Sequence, residues 1–586
     1  MKRLIYIYMA ASMFVACQSG FDEPVPEPDN HTKTDIISIT VSEEILSDAA
    51  PQSRVADVGA YTSFEKGDRV GLIILDKDGN YVVRNVPYIY DGNKWEYDPV
   101  GAGGKPVPYY EKKMSHYIVY FPYVKDADNI TSAEGIKNLE VFRVREDQSS
   151  EEDFISSDPM TFSYSGTPKK QLDVTLRHAR NSFALDLRVK RKLTTGETIL
   201  YHPKDLVIEN DKAVREVSAF EDFYIRIDGK NLKTYSEDKS EEINYTNIAK
   251  DGSYRYILPD GFSGTFTWRY YYHGKAYGGE CKVSGDKTGM RYIKDEYLDF
   301  GNFEGENVQP GDFYCKKNDI GYPFPWDAFE ILDPTDCIGI VFYNKHHVQD
   351  KWLDKNGVDK MEYPEAVYKG TFTAESKKCH GYAIALTDAH GIAQGDQLKW
   401  RRYEENREDA NEHISDGGTT YRTATNTYEF TGYLSQLAFK AHAEAKGVDL
   451  AILFPAANAC ELYGKNPRYP WQDGLTAPAN TSGWFLPTAA QLTQVSSSSN
   501  RSAFVKSIRL IKALLPDDCA YKEYVSYDYS SYRNVVGGFL KHWSSAEYQS
   551  VGQGYPTAYG VSLDNGESGT SLSKTTDLCV RAALAY

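Results

Sequence analysis

Apolar positions in the first half of the chain recur mostly at every second residue. "DIISITV" (Asp35 to Val41) alternates and is rich in β-branched residues, which predicts a strand. After a polar break, "SDAAPQSRVADVGAYTS", the stretch "FEKGDRVGLIILD" runs from a turn into a buried strand. "GNYVVRNVPYIYDGNKWEYD" predicts a hairpin turning at Asp91-Gly92, and "HYIVYFPY" a strand ended by a proline. From about Gln171 the pattern restarts with "LDVTLRHARNSFALDLRV", "FYIRI", "RYILP", "GTFTWRYYYHG" and "EYLDFG", and it closes near Phe303. "NFEGENVQPGDFY" (Asn302 to Tyr314) is polar with Gly and Pro and predicts a boundary. Beyond it the period changes. "GYLSQLAFKAHAEAKG" has helical spacing and a glycine stop, and "LPTAAQLTQV" carries a capping box from Thr488 to Gln491. "FVKSIRLIKALLP" is an amphipathic helix stopped by Pro516. Short strands follow, with a turn at Asn565-Gly566 and a terminal "LCVRAALAY".

The N-terminus has another pattern. Lys2 and Arg3 precede an apolar run from Leu4 to Ala16, too short to span a bilayer as a mature helix. Small Ala16 precedes Cys17, and the arrangement resembles the lipobox of bacterial lipoproteins. That resemblance makes Cys17 the lipidated residue and the chain an outer-membrane lipoprotein precursor, held to the membrane by its lipid alone. "GFDEPVPEPDNHTK" then reads as an extended tether. No other stretch approaches the length of a membrane span, so the remainder is expected to be soluble and exported.

Composition narrows the partners. The formal net charge is -17, which argues against nucleic acid. Tyr is abundant at 46 residues, which suits both strands and contact surfaces. Of eight cysteines, six follow residue 310, which leads us to expect up to three disulfides in the C-terminal region, with 15 possible pairings. No C-x-x-C pair occurs, and no metal or cofactor is expected.

The order of motifs in the N-terminal half resembles a known family. An arginine in a break ("SRVA") is followed by Phe64, Gly67, Asp68, Val70 and Gly71 as F-x-x-G-D-x-[IV]-G. Then come Tyr88, Tyr90, Asp91, Gly92 and Trp95, and the aromatic-rich "YIVYFPY". This looks like the fimbrillins, subunits of type V pili, over roughly residues 35 to 300. The resemblance implies β-sandwich domains, removal of the first strand by an arginine-specific protease, and a strand donated into the vacated groove by the next subunit. It makes Arg54 the processing site and "DIISITV" the removable strand. Read from the residues themselves, Trp95 belongs to the core and the two glycines to turns.

The C-terminal third carries "FPAANAC", "GWFLPTAAQL", "WSSAEY" and "LCVRA". Together they resemble the C-type-lectin-like domain at the C-termini of bacterial surface adhesins, chiefly over residues 430 to 586. Trp484, Leu486, Leu492 and Trp543 are expected in its core, and Cys579 is expected to pair with another cysteine. The Glu-Pro-Asn and Trp-Asn-Asp tripeptides of calcium-dependent lectins are absent, so sugar would be held by stacking. The loop from Tyr463 to Ser482 offers Tyr469, Trp471, Gln472 and Asp473 as candidate ligand contacts.

No G-x-S-x-G, H-E-x-x-H, Walker A or G-x-G-x-x-G string occurs; adjacent His346-His347 would point to opposite faces of a strand and make a poor chelate, and His380 and His390, ten residues apart, would sit at either end of one strand. No enzyme is expected. The fold class expected is mainly β, with two Greek-key-like sandwich domains of the fimbrillin/transthyretin-like kind followed by an α+β C-type-lectin-like domain. The expected domains are signal peptide 1–16, tether 17–34, sandwiches 35–170 and 171–303, and lectin-like domain 304–586. The function expected is a minor or tip subunit of a type V fimbrium at the cell surface. Its partners would be other fimbrial subunits joined by donor strands, together with host or bacterial glycans. The second reading is a glycan-binding outer-membrane lipoprotein outside any pilus.

Overall fold

The run Val70-Gly71-Leu72-Ile73-Ile74-Leu75 is apolar at every position, and the structure gives the reason. Val70, Leu72 and Ile74 pack on one face with Tyr117 and Val119, while Ile73 and Leu75 pack on the other with Ile118, Tyr120, Ile136 and Phe142. A strand covered on both faces has no solvent side, so alternation disappears. The computed structural model describes residues 35–44, 46–47, 64–144, 158–210, 212–228, 230–231, 253–344, 380–389, 397–402, 413–415, 423–425, 427, 430–525, 541–550, 554–563 and 570–586. Cys17, Arg54, His346-His347, His390 and the Asn565-Gly566 turn lie outside the described residues. The described chain is mainly β, with seven sheets and a few helices, most of the α-helices lying after residue 430. It divides into two compact units, the second of which includes Arg180–Tyr586.

The first unit is built on one seven-stranded sheet. Its order is Ser38–Glu44, Gln171–His178, Met160–Ser165, Met114–Phe121, Arg69–Asp76, Tyr81–Tyr90, Trp95–Tyr97. The expected hairpin is present, with Gly92 at φ 105° in its turn. Leu172, Val174 and Leu176 turn inward while the residues between them face solvent, matching their alternation. Every pairing is antiparallel except the first: Ser38–Glu44 runs parallel to Gln171–His178, with Ser38 opposite Gln171. At its start, the Ile37 N–H donates to the Pro108 carbonyl (3.0 Å) and the Tyr110 N–H to the Asp35 carbonyl (2.8 Å). The sheet thus bends back on itself, and Ile37 and Ile39 fill the core between its ends. The Tyr88 hydroxyl donates to the Ile37 carbonyl at 2.6 Å. Burying each isoleucine contributes about 1.5–3 kcal/mol.

In the second unit, Ser182–Lys192 pairs with Thr198–Tyr201, with Tyr254–Ile257 and, parallel, with Met290–Asn302. Leu46–Ser47 adds a short parallel pairing to Met290 and Arg291. A four-stranded antiparallel sheet centred on Gly264–Tyr272 lies in the same core. After residue 304 a five-stranded sheet runs Ile320–Phe324, Phe313–Lys317, Cys337–Tyr343, Tyr382–Ala385, Ala583–Ala585, so the last strand returns beside the middle of the segment. Helix Gly432–Lys446 ends at Gly447, whose φ of 64° suits a residue without Cβ. Helix Ala489–Ser496 has the capping box at Thr488 and Gln491, and helix Ser498–Leu514 stops before Pro516. Trp484, Leu486, Leu492 and Trp543 are buried, as expected. One continuous core joins Phe183 to Tyr586.

Across that core runs a polar chain. The Tyr272 hydroxyl donates to Asp327 Oδ2 (2.7 Å) and lies 3.2 Å from the Tyr201 hydroxyl. Arg191 Nε donates to Tyr201 Oη (3.3 Å), and its guanidinium packs on Phe300 and Phe303. The six described cysteines, Cys281, Cys315, Cys337, Cys460, Cys519 and Cys579, are in the thiol form where up to three disulfides were expected. Cys281 lies in another sheet and Cys460 in a helix, while Cys315 and Cys337 lie on neighbouring strands of one sheet, so clustering in sequence becomes a facing pair at Cys315 and Cys337. Cys379 lies outside the described residues. No described helix is long and apolar enough to cross a membrane.

Candidate ligand surface

The loop Tyr463–Ser482 is fixed at several points by groups that sequence alone places at the surface. Tyr463 is buried, and its hydroxyl lies 2.8 Å from Thr387 Oγ1. Gly464 has φ 81°, and a Cβ there would meet the Thr476 nitrogen at 2.3 Å. The Asn466 side chain accepts from the Arg468 N–H at 3.0 Å, a turn stabilised by its own amide. Pro470–Gln472 then forms one 3-10 turn.

The four candidate contacts separate in this frame. Gln472 is fully buried: its Nε2 donates to the Asp388 carbonyl (3.2 Å) and its Oε1 accepts from the Gly464 N–H (3.4 Å). Its amide therefore acts as an internal brace. The Tyr469 ring is also buried, with the Arg468 guanidinium 5.4 Å from its centroid. Trp471 is half-buried and Asp473 exposed. Trp471 stacks face to face on Tyr524, with centroids 3.8 Å apart and planes 9° from parallel. Tyr524 is itself half-buried and is held by a turn between buried Tyr521 and Val525. The surface on offer is thus a flat aromatic pair flanked by exposed Asp473 and Arg468. Aromatic faces beside short polar groups suit a sugar ring or a planar side chain. Tyr524 was not singled out from sequence, because stacking across 53 positions leaves no local signal; only the tyrosine-rich run after Pro516 hints at it.

Two buried polar clusters lie deeper in the same unit. Asp388, His542 and Cys579 bring one ligand atom each within 4.8 Å of one another. His542 Nε2 is 3.2 Å from Asp388 Oδ1, and Arg581 Nη1 is 3.7 Å from the same oxygen. The guanidinium already supplies positive charge where a cation would sit, and it is anchored on the Ala385 and Leu386 carbonyls. Burial first, and the Asp388 charge second, hold the Cys579 and Cys460 thiols well above the usual range, so neither is set up as a thiolate nucleophile. In the second cluster, buried Glu547 accepts from the Ile414 N–H (3.0 Å), the Thr423 hydroxyl and Lys574 Nζ. His413 Nε2 stands 3.5 Å away. Both carboxylate oxygens are engaged by protein groups, which is the arrangement of a structural ion pair. His380, at a strand edge, gives its backbone N–H to the Tyr586 carbonyl (2.6 Å).

No protein-family model matches the chain. Among curated proteins, a stretch of 102 residues is 28% identical to one named "Putative fimbrium tip subunit Fim1C" of Bacteroides ovatus. The match takes up 17% of this chain and 18% of that protein. Among solved structures, a fimbrial protein from Bacteroides ovatus aligns over 94% of this chain and 99% of its own, at 17% identity and a TM-score of 0.32. A fimbrial assembly protein from Parabacteroides distasonis aligns over 40% of this chain and 83% of its own, at 14% identity and a TM-score of 0.20.

Proposed function

We propose that this protein is a structural, non-enzymatic subunit of a cell-surface fimbrium in a minor or tip position, exported as a lipoprotein on Cys17. Cleavage after Arg54 would free its first strand, and a neighbouring subunit would supply the replacement. The observation that carries this reading is the placement of Ser38–Glu44. It is an edge strand and the sole parallel strand of its sheet, held by main-chain bonds to Gln171–His178 and by buried Ile37 and Ile39. Removing it would expose the edge of Gln171–His178 and an apolar groove, and an incoming strand with alternating apolar residues would restore both. The short match to the Bacteroides ovatus protein supports the same reading. The Trp471–Tyr524 surface would be the contact with glycans at the far end of the molecule's task, adhesion.

The test is treatment of the folded precursor with an arginine-specific protease, followed by N-terminal sequencing and addition of pilin donor-strand peptides. One cut after Arg54, loss of the first strand and capture of a donor peptide are the expected results. Resistance at Arg54, or a cut chain that keeps Ser38–Glu44 in place against excess donor peptide, overturns this reading and favours a resident glycan-binding lipoprotein.

A further inference from the structure

Two of the six described cysteines face each other. Cys315, on Phe313–Lys317, and Cys337, the first residue of Cys337–Tyr343, are direct register partners in an antiparallel pair. Both are fully buried; Cys337 Sγ donates to the Gly339 carbonyl at 3.4 Å, and burial first and the neighbouring Cys337 thiol second hold the Cys315 thiol well above its usual range. Direct partners in such a ladder have Cα atoms about 4.5–5.5 Å apart and side chains on one face. That separation falls inside the range of about 4.4–6.8 Å that a disulfide bridges. The register slips between Tyr314 and Cys315, and this bulge places Cys315 opposite Cys337 at the strand end. A third thiol is close by. Cys519 follows helix Ser498–Leu514, and burial first, then Cys519 and Cys337, push the Tyr521 hydroxyl above its ordinary range. The Tyr521 hydroxyl donates to the Thr335 carbonyl at 3.3 Å.

We infer that Cys315 and Cys337 are joined by a disulfide in the mature protein, a bond that rests on the exported location proposed above. The partner in the reaction is a disulfide oxidant of the cell envelope or oxidised glutathione. The Cys315 and Cys337 thiols lose two protons and two electrons as their S–S bond forms. The oxidant's S–S bond breaks and takes up both, leaving the oxidant as two thiols. Because both sulfurs are shielded once the strands pair, the exchange takes place during folding, before the sheet closes.

The bond has a structural consequence. The segment it closes contains the Ile320–Phe324 hairpin strand and the Trp326–Ile331 turn, which supplies Asp327 to the Tyr272 and Arg191 chain. Closing that segment restricts the unfolded chain and holds the turn against the strands that carry Tyr272.

The experiment uses the full chain taken from the outer-membrane fraction of intact cells, with free thiols blocked by a maleimide before and again after denaturation. Peptide mass spectrometry is expected to find one cross-linked pair containing Cys315 and Cys337, two hydrogens lighter than the separate peptides, with Cys519 labelled. Dithiothreitol is expected to abolish the pair and lower the thermal midpoint by several degrees, whereas Cys519→Ser leaves both results unchanged. Complete maleimide labelling of Cys315 and Cys337, or a bridge from Cys337 to Cys519, overturns the inference. Refolding the reduced chain with oxidised glutathione separates chemistry from location. Failure to bridge there overturns the pairing itself. A bridge there but not in cells overturns the inference through its location.

Discussion

Glu547 and Lys574 are both buried, and each is the other's charge partner. Burial pulls the Lys574 ammonium below its ordinary range even with Glu547 beside it. Lys574→Met leaves a buried carboxylate with the Thr423 hydroxyl and the Ile414 N–H as its hydrogen-bond donors and no lysine charge beside it. Such a break costs about 3–5 kcal/mol. Urea denaturation should show that loss, and the double variant Glu547→Leu, Lys574→Met should recover a large part of it. At the ligand surface the neighbours Trp471 and Gln472 separate cleanly. Gln472→Ala leaves the Gly464 N–H and the Asp388 carbonyl without their amide partner and should cost about 1–3 kcal/mol. Trp471→Ala removes a stack worth about 0.5–1.5 kcal/mol beyond its buried area. It should abolish glycan-array binding while the fold survives; retained binding would remove Trp471 from the site. Sequence could not separate these two residues. A loop amide reads as polar and exposed until its two partners, one of them 84 positions away, are known.

The elements were more legible than their partners. Alternation located Gln171–His178, Asp91-Gly92 located the hairpin turn, and helical spacing with a glycine located the end of Gly432–Lys446. These signals are local, since side-chain period and positive φ depend on a few adjacent residues. The pairing of Ser38–Glu44 is not local: Ser42 Oγ donates to the Val174 carbonyl across 132 positions. A chain lacking residues 35–44 should therefore unfold at a lower denaturant concentration in its first unit. A synthetic peptide of that segment, added in excess, should restore the midpoint. Ile39→Asp in the full chain should reproduce the loss, since it carries a charge into an apolar core. Circular dichroism in guanidinium with and without peptide reads both effects. No rescue by the peptide would mean that the strand is not exchangeable.

At the scale of the whole molecule, stability is tied to pH through the polar chain of the second unit. Burial pushes the Asp312 carboxyl up to about 7, against acceptance of the Gln309 and Trp326 N–H groups. Its folded value lies above its unfolded one. The stability it contributes is therefore full below about pH 4 and is lost as pH rises through about 7. Burial, with Arg191 beside it, pulls His273 down to about 4. Its contribution is full above about pH 6.5 and is lost as pH falls through about 4. Denaturation midpoints from pH 4 to 8 should show the two arms. His273→Gln should flatten the acid arm, and Asp312→Asn should flatten the arm between pH 5 and 8. If Asp312→Asn leaves the slope from pH 5 to 8 unchanged, Asp312 is ionised in the fold at neutral pH. Tyr272→Phe would remove a donor from Asp327, whose carboxyl is likewise raised by burial, and weaken the same chain.

By itself the sequence determined the β-rich class, the three-part change of pattern along the chain, many strand and helix positions, and the burial of Trp95, Trp484 and Trp543, but not of Trp268 and Trp400. Each of these follows from periodicity or from a backbone requirement satisfied within a few residues. Only the tertiary structure decided which strand lies parallel at the sheet edge, which loop residues turn inward, that Trp471 meets Tyr524, and which two of the cysteines stand face to face. These are contacts between residues far apart in the chain. They are set by how sheets twist, close and stack, and the residue types that make them carry no mark of their partner.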